Sequence, residues 1–166
     1  MRKGFTLIEL LVVVAIIGML SSVVLSSLNT ARANTRDARR YADLRQIANA
    51  LELYYQANGR YPIQTTWRGT TPGCYGTGSD PNTSIPGLVP TYIPVIPQDP
   101  RWVPNSYCYL YVSYAPYQDY KLLAYGTVEG GQVPVSDPKS RYAGCSSGGA
   151  AEASYGIASS PTSACW

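Results

Sequence analysis

The 166-residue chain contains no histidine. A serine or cysteine nucleophile therefore has no imidazole base, and the ten acidic residues do not group at metal-site or glycosidase spacing. No phosphate-binding loop or nucleotide fingerprint is present either. These absences point away from an enzyme and from any cofactor. The four cysteines form no Cys-x-x-Cys pair, which without histidine argues against zinc. Charge is also scarce: 13 basic and 10 acidic residues give a net +3, too little to predict nucleic-acid binding. Proline and glycine are missing from residues 20 to 57, so nothing in that stretch stops a helix.

What is present begins with Gly4-Phe5-Thr6-Leu7-Ile8-Glu9, followed by an apolar run without a charge from Leu10 to Leu28. As a helix, residues 5 to 28 span roughly 36 Å, enough for a hydrocarbon core of about 30 Å. Glu9 is the anomaly, because a carboxylate inside a membrane costs about 3 kcal/mol unless it finds a partner or a wet interface. It can snorkel to the cytoplasmic interface, or it can meet an opposite charge. The basic part before the run is very short and no small-residue cleavage site follows it, so this is not an ordinary secretory signal.

Met1-Arg2-Lys3-Gly4 before Phe5-Thr6-Leu7-Ile8-Glu9 resembles the N-terminal signature of the type IV pilin family, which includes pilins and the pseudopilins of type II secretion. The resemblance implies cleavage between Gly4 and Phe5 by a prepilin peptidase and methylation of the new Phe5 amine. It also implies an assembly role for Glu9, whose carboxylate would neutralise that amine on a neighbouring subunit. Tyr92-Ile93-Pro94-Val95-Ile96-Pro97-Gln98-Asp99-Pro100 is similar to a second segment of the same family, found before the sheet. Its members commonly carry a proline in the apolar half of the helix, where this chain has Ser26 and its neighbours. Gly18 and the pairs Ser21-Ser22 and Ser26-Ser27 permit close packing of parallel helices, or are small residues simply tolerated in a span.

The expected fold is α+β and type IV pilin-like. Residues 1–4 are a leader to be removed, 5–28 the apolar transmembrane and assembly half of a helix, 29–57 its amphipathic half, and 58–166 the globular head. The second half shows an amphipathic period through Tyr41, Leu44, Ala48, Leu51 and Tyr55, with Arg36, Asp37, Arg40, Asp43 and Arg45 largely elsewhere. Asn58-Gly59 stops the helix and Pro62 prevents its resumption. Residues 60 to 106, rich in proline and glycine, read as a long irregular connection. Strand patterns follow at 106–114 and 120–128, with a hairpin loop from Ala115 to Asp119 and a third short run at 132–135. After Ser136 the chain is rich in glycine, serine and alanine.

Charge leaves the orientation open, since Arg2 and Lys3 precede the span while Arg32, Arg36, Arg39, Arg40 and Arg45 follow it. The cysteines place the head outside the cytoplasm: Cys74, Cys108, Cys145 and Cys165 all lie beyond the helix, an even number suited to two disulfides. Three connectivities are possible. Pairing neighbours in sequence, Cys74 with Cys108 and Cys145 with Cys165, closes loops of about 21 to 35 residues, each worth ~3 to 4 kcal/mol.

The resemblance implies a precursor in the inner membrane that polymerises with copies of itself through the pilus assembly machinery of that membrane, ending in an extracellular filament; a minor pilin is an equal alternative to a major one, and a type II secretion pseudopilin is an alternative that the cysteine pairs and the lack of an acidic loop disfavour. Major pseudopilins of type II secretion bind calcium through acidic residues in the loop after their second strand. The matching stretch here, residues 125–131, offers only Glu129, so no metal is expected. A different class of reading is a membrane-anchored binding module whose Tyr75, Tyr107, Tyr109, Tyr111 and Tyr114 stack on glycan or single-stranded nucleic acid. Core and sheet packing account for those rings more simply.

Overall fold

The computed structural model describes residues 4–71, 73–74, 85–103, 107–125, 127–129, 140–141 and 155–159. One helix, α1, runs unbroken from Leu7 to Asn58, 52 residues and ~78 Å. Thr6 caps its start in extended conformation, and Gly59 ends it at φ 68°, donating its N–H to the Tyr55 carbonyl at 2.7 Å. A left-handed cap of this kind is where a residue without Cβ fits best.

A five-stranded antiparallel sheet packs on the second half of α1. Its strands are β1 (Arg68–Gly69), β2 (Cys108–Tyr114), β3 (Asp119–Tyr125), β4 (Ser140–Arg141) and β5 (Tyr155–Ala158). The spatial order is β1-β2-β3-β5-β4. The hairpin of β2 and β3 is the centre, with Leu110 opposite Leu123 and Tyr111 opposite Leu122. The expected hairpin is therefore present. The expected run at 132–135 lies outside the described residues, whereas β1, β4 and β5 were not foreseen. They are two to four residues long, too short to carry an alternating pattern.

Period-2 alternation gives the sheet two apolar faces. Tyr109, Tyr111, Tyr120, Leu122, Ala124 and Ile157 join Leu44, Ile47, Ala48 and Leu51 of α1 in the main core. On the opposite face Cys108 and Leu110 form a smaller cluster with Cys74, covered in part by Trp67 and Leu123. Cys74 and Cys108 are disulfide-bonded, the pairing expected, with Cα atoms 6.0 Å apart. A Cβ on Gly69 would sit 2.2 Å from Cys74 Cβ and Sγ, so β1 can cross the bridge only as glycine. Cys145 and Cys165 lie outside the described residues.

Residues 85–103 are irregular but packed. Ile85, Leu88, Ile93 and Ile96 are buried in the main core, and Tyr92 meets the Tyr54 ring edge-on at 5.3 Å. The segment thus runs back along α1, from Tyr92 beside Tyr54 to Asp99 beside Arg40.

Candidate functional site

The N-terminal end of α1 carries the residue that sequence marks most strongly. Glu9 accepts hydrogen bonds from the Thr6 backbone N–H at 2.9 Å and the Thr6 hydroxyl at 2.6 Å, while its own N–H donates to Thr6 Oγ1 at 3.3 Å. This is a reciprocal capping box, which satisfies two backbone donors the first turn cannot otherwise use. The Thr-x-x-Glu spacing is the signal that could have revealed it. Glu9 thus has a partner within its own chain, in addition to any it finds in another.

From Phe5 (82% exposed) to Leu28 (41% exposed) every residue of the helix is exposed. It is long and apolar enough to cross a membrane. Two of its hydroxyls are accommodated locally, Ser22 donating to the Met19 carbonyl and Ser27 to Val24, and just beyond it Thr30 donates to Ser26 and Thr35 to Ala31. Such back-bonding lets a polar side chain sit in lipid without an orphan donor.

Past this flank, at residues 36–43, the helix enters the head through charge rather than apolar contact. Arg40 is 1% exposed. Its Nε and Nη2 hold Asp99 at 2.7 and 3.0 Å, and its Nη1 holds Asp37 at 2.7 Å and Glu129 at 2.9 Å. Glu129 also accepts from Arg36 at 2.8 and 2.5 Å and from Arg101 at 3.0 Å. The Arg36 hydrogen bond, helped by Arg40 and Arg101 against the effect of burial, holds the Glu129 carboxyl down at about 2. Burial by itself lowers the Arg40 guanidinium, but Asp99, Glu129 and Asp37 outweigh it and raise the group. Nearby, burial pushes Asp43 up, and the Tyr109 hydroxyl, donating to it at 2.8 Å, pulls it back.

Residues 1–25 match the family model for the prokaryotic N-terminal methylation motif. The chain is 37% identical over 117 residues to the type II secretion system core protein G of Vibrio cholerae, a match spanning 66% of this chain and 73% of that protein. It is 33% identical over 100 residues to the core protein G of Klebsiella pneumoniae, covering 60% and 69% of the two chains. It is 39% identical over 71 residues to the type IV major pilin protein PilE1 of Neisseria gonorrhoeae, covering 42% of each. The chain belongs to the type IV pilin and pseudopilin family. No solved structure matches it.

In this pilin-like chain the residues singled out from sequence do not form one site. Gly4 and Phe5 lie before the helix, Glu9 is in its first turn, and Cys74–Cys108 sits on the far face of the sheet. Tyr109 and Tyr111 are buried in the core, so they present no stacking surface, while Tyr107 lies under the Arg101 guanidinium at 4.9 Å. Tyr114 is 39% exposed, and Tyr75 lies outside the described residues. What sequence reasoning missed is Arg40. Its charge places it on the polar side of the helix by pattern, yet it occupies the buried stripe one turn before Leu44. The only local hint was its place in that 3.6-residue period.

Proposed function

We propose that this chain is a structural filament subunit, a pilin that polymerises into a type IV pilus after a prepilin peptidase removes residues 1–4 and the Phe5 amine is methylated. The observation that carries this reading is the unbroken apolar flank of α1, exposed throughout residues 5–28 and continuous with a helix half that has one face buried against the head. Such a flank is stable in lipid, and equally in a bundle of like helices, where small side chains allow close approach. Lipid is then its solvent before assembly and neighbouring subunits its solvent after. The head stands outside the cytoplasm, in keeping with the Cys74–Cys108 bridge.

Glu9 is the proposed register element. Two charges that are costly alone in an apolar bundle, the Phe5 amine and the Glu9 carboxylate of a neighbour, offset one another when brought together. Its capping role makes the test more discriminating. Glu9→Gln retains a side chain able to close a capping box but loses the charge. Filament yield from that variant, expressed with the assembly machinery, should collapse while membrane insertion is unchanged. Normal filament yield would sink the pairing.

A second reading, a type II secretion pseudopilin, is favoured by one observation: the match to the Vibrio cholerae core protein G extends over 73% of that relative, against 42% for the PilE1 pilin. Shearing filaments from cells and identifying the main band by mass spectrometry separates the readings. Abundant surface filaments built of this chain support the pilus, and their absence without overexpressed secretion genes supports the pseudopilin.

A further inference from the structure

Three acidic segments, far apart in sequence, meet at a single guanidinium. Asp37 comes from α1, Asp99 from the loop that returns along it, and Glu129 from the stretch after β3. The Asp99 side chain is fully buried, that of Asp37 is 9% exposed and that of Glu129 16%. Left without a cation, they would repel in a medium of low dielectric. Two further contacts show that the carboxylates also organise backbone. Asp99 accepts the Arg101 N–H at 2.8 Å, and Asp37 accepts the Glu129 N–H at 3.1 Å. Their spacing suits a planar, forked cation: among the described residues no group of three acidic, cysteine or histidine side chains stands close enough to hold a metal ion.

We infer that Arg40 is a built-in cross-linking cation, seated in a guanidinium-shaped socket of three carboxylates, and that it locks the 97–103 and 127–129 segments to the helix where the apolar flank ends. Arg36 and Arg101 complete the charge balance from the rim, each on Glu129. Because the cation is covalently part of the helix, the lock requires no divalent ion. Because it is planar, an ammonium cannot replace it. The lock is local: it governs these two segments, while the core around Leu44, Ile47 and Leu51 holds by apolar packing.

The test uses the full chain in detergent. In Arg40→Ala, amide exchange at Arg101 and Glu129 should accelerate at least tenfold over the wild type, with residues 44–51 still protected. Millimolar methylguanidinium should restore that protection saturably in Arg40→Ala and do nothing in the wild type. Chelator and calcium should leave the wild-type exchange unchanged. Uniform loss of protection in residues 44–51, absence of methylguanidinium rescue, or chelator sensitivity of the wild type would each overturn the inference. Arg40→Lys is measured beside it: the same local acceleration is expected there, and wild-type protection in that variant would overturn the planar socket.

Discussion

The two halves of α1 are one continuous backbone with opposite surroundings. Residues 5–28 are apolar and exposed, while Leu44, Ile47 and Leu51 are wholly buried. Helix geometry does not distinguish them, because both present apolar side chains on a 3.6-residue cylinder. The difference is where the complementary surface comes from. For the second half it is folded into the same chain, as a sheet face and a returning loop. For the first half it must come from lipid or from other molecules. The lesson is that an apolar helix is only half of an interaction, and this chain encodes one complete interaction and one awaiting its partner.

The sharpest way to break the comparison is to weaken the head and ask whether the flank notices. Replacing Cys74 and Cys108 by serine opens a loop closed across 34 residues and should cost the head about 4 kcal/mol in denaturant unfolding. Membrane insertion of residues 5–28 should be unchanged. Leu51→Ala, at a wholly buried site facing the sheet, should cost about 3 kcal/mol by the same measurement. Leu11→Ala is its counterpart on the flank, at 58% exposure. Head stability should move by less than about 0.5 kcal/mol, and any effect should fall on filament yield.

Acid probes the junction between the halves. The Glu129 carboxyl is held at about 2, below the ordinary 4.5. A depressed carboxyl contributes stability that is fully present above its unfolded value and fades as pH falls from about 4.5 towards 2. Asp43, raised by burial, acts in the opposite sense and offsets part of that loss. Melting temperature should therefore drop over that range, and by less in Glu129→Gln. The smallest effect belongs to the far end of the helix. Thr6→Ala removes the hydroxyl of the capping box and should speed exchange of the Glu9 amide by about fivefold, without altering the head.

How much was visible beforehand follows from the range of the interactions. The helix ends, the central hairpin and the Cys74–Cys108 pairing rest on local or simple pairwise signals: a glycine after Asn58, an alternating run, an even set of cysteines. The Thr6–Glu9 capping box is equally local, a Thr-x-x-Glu spacing inside the same stretch that carries the family signature. The short strands were not legible. Ser140–Arg141 and Tyr155–Ala158 are held by their register against β5 and β3, and nothing in two to four residues announces a partner.

By itself the sequence determined the helix, its division into an apolar flank whose only charged side chain is Glu9 and an amphipathic half, and the processing signature at its start. These are periodic or contiguous patterns, whose physics acts within a few residues. Only the tertiary structure decided that β5 lies between β3 and β4, and that Arg40 is buried rather than solvated. A charged side chain can enter a core only where its counter-charges are assembled. Two of Arg40's three partners lie 59 and 89 residues away, a distance along the chain that only folding closes.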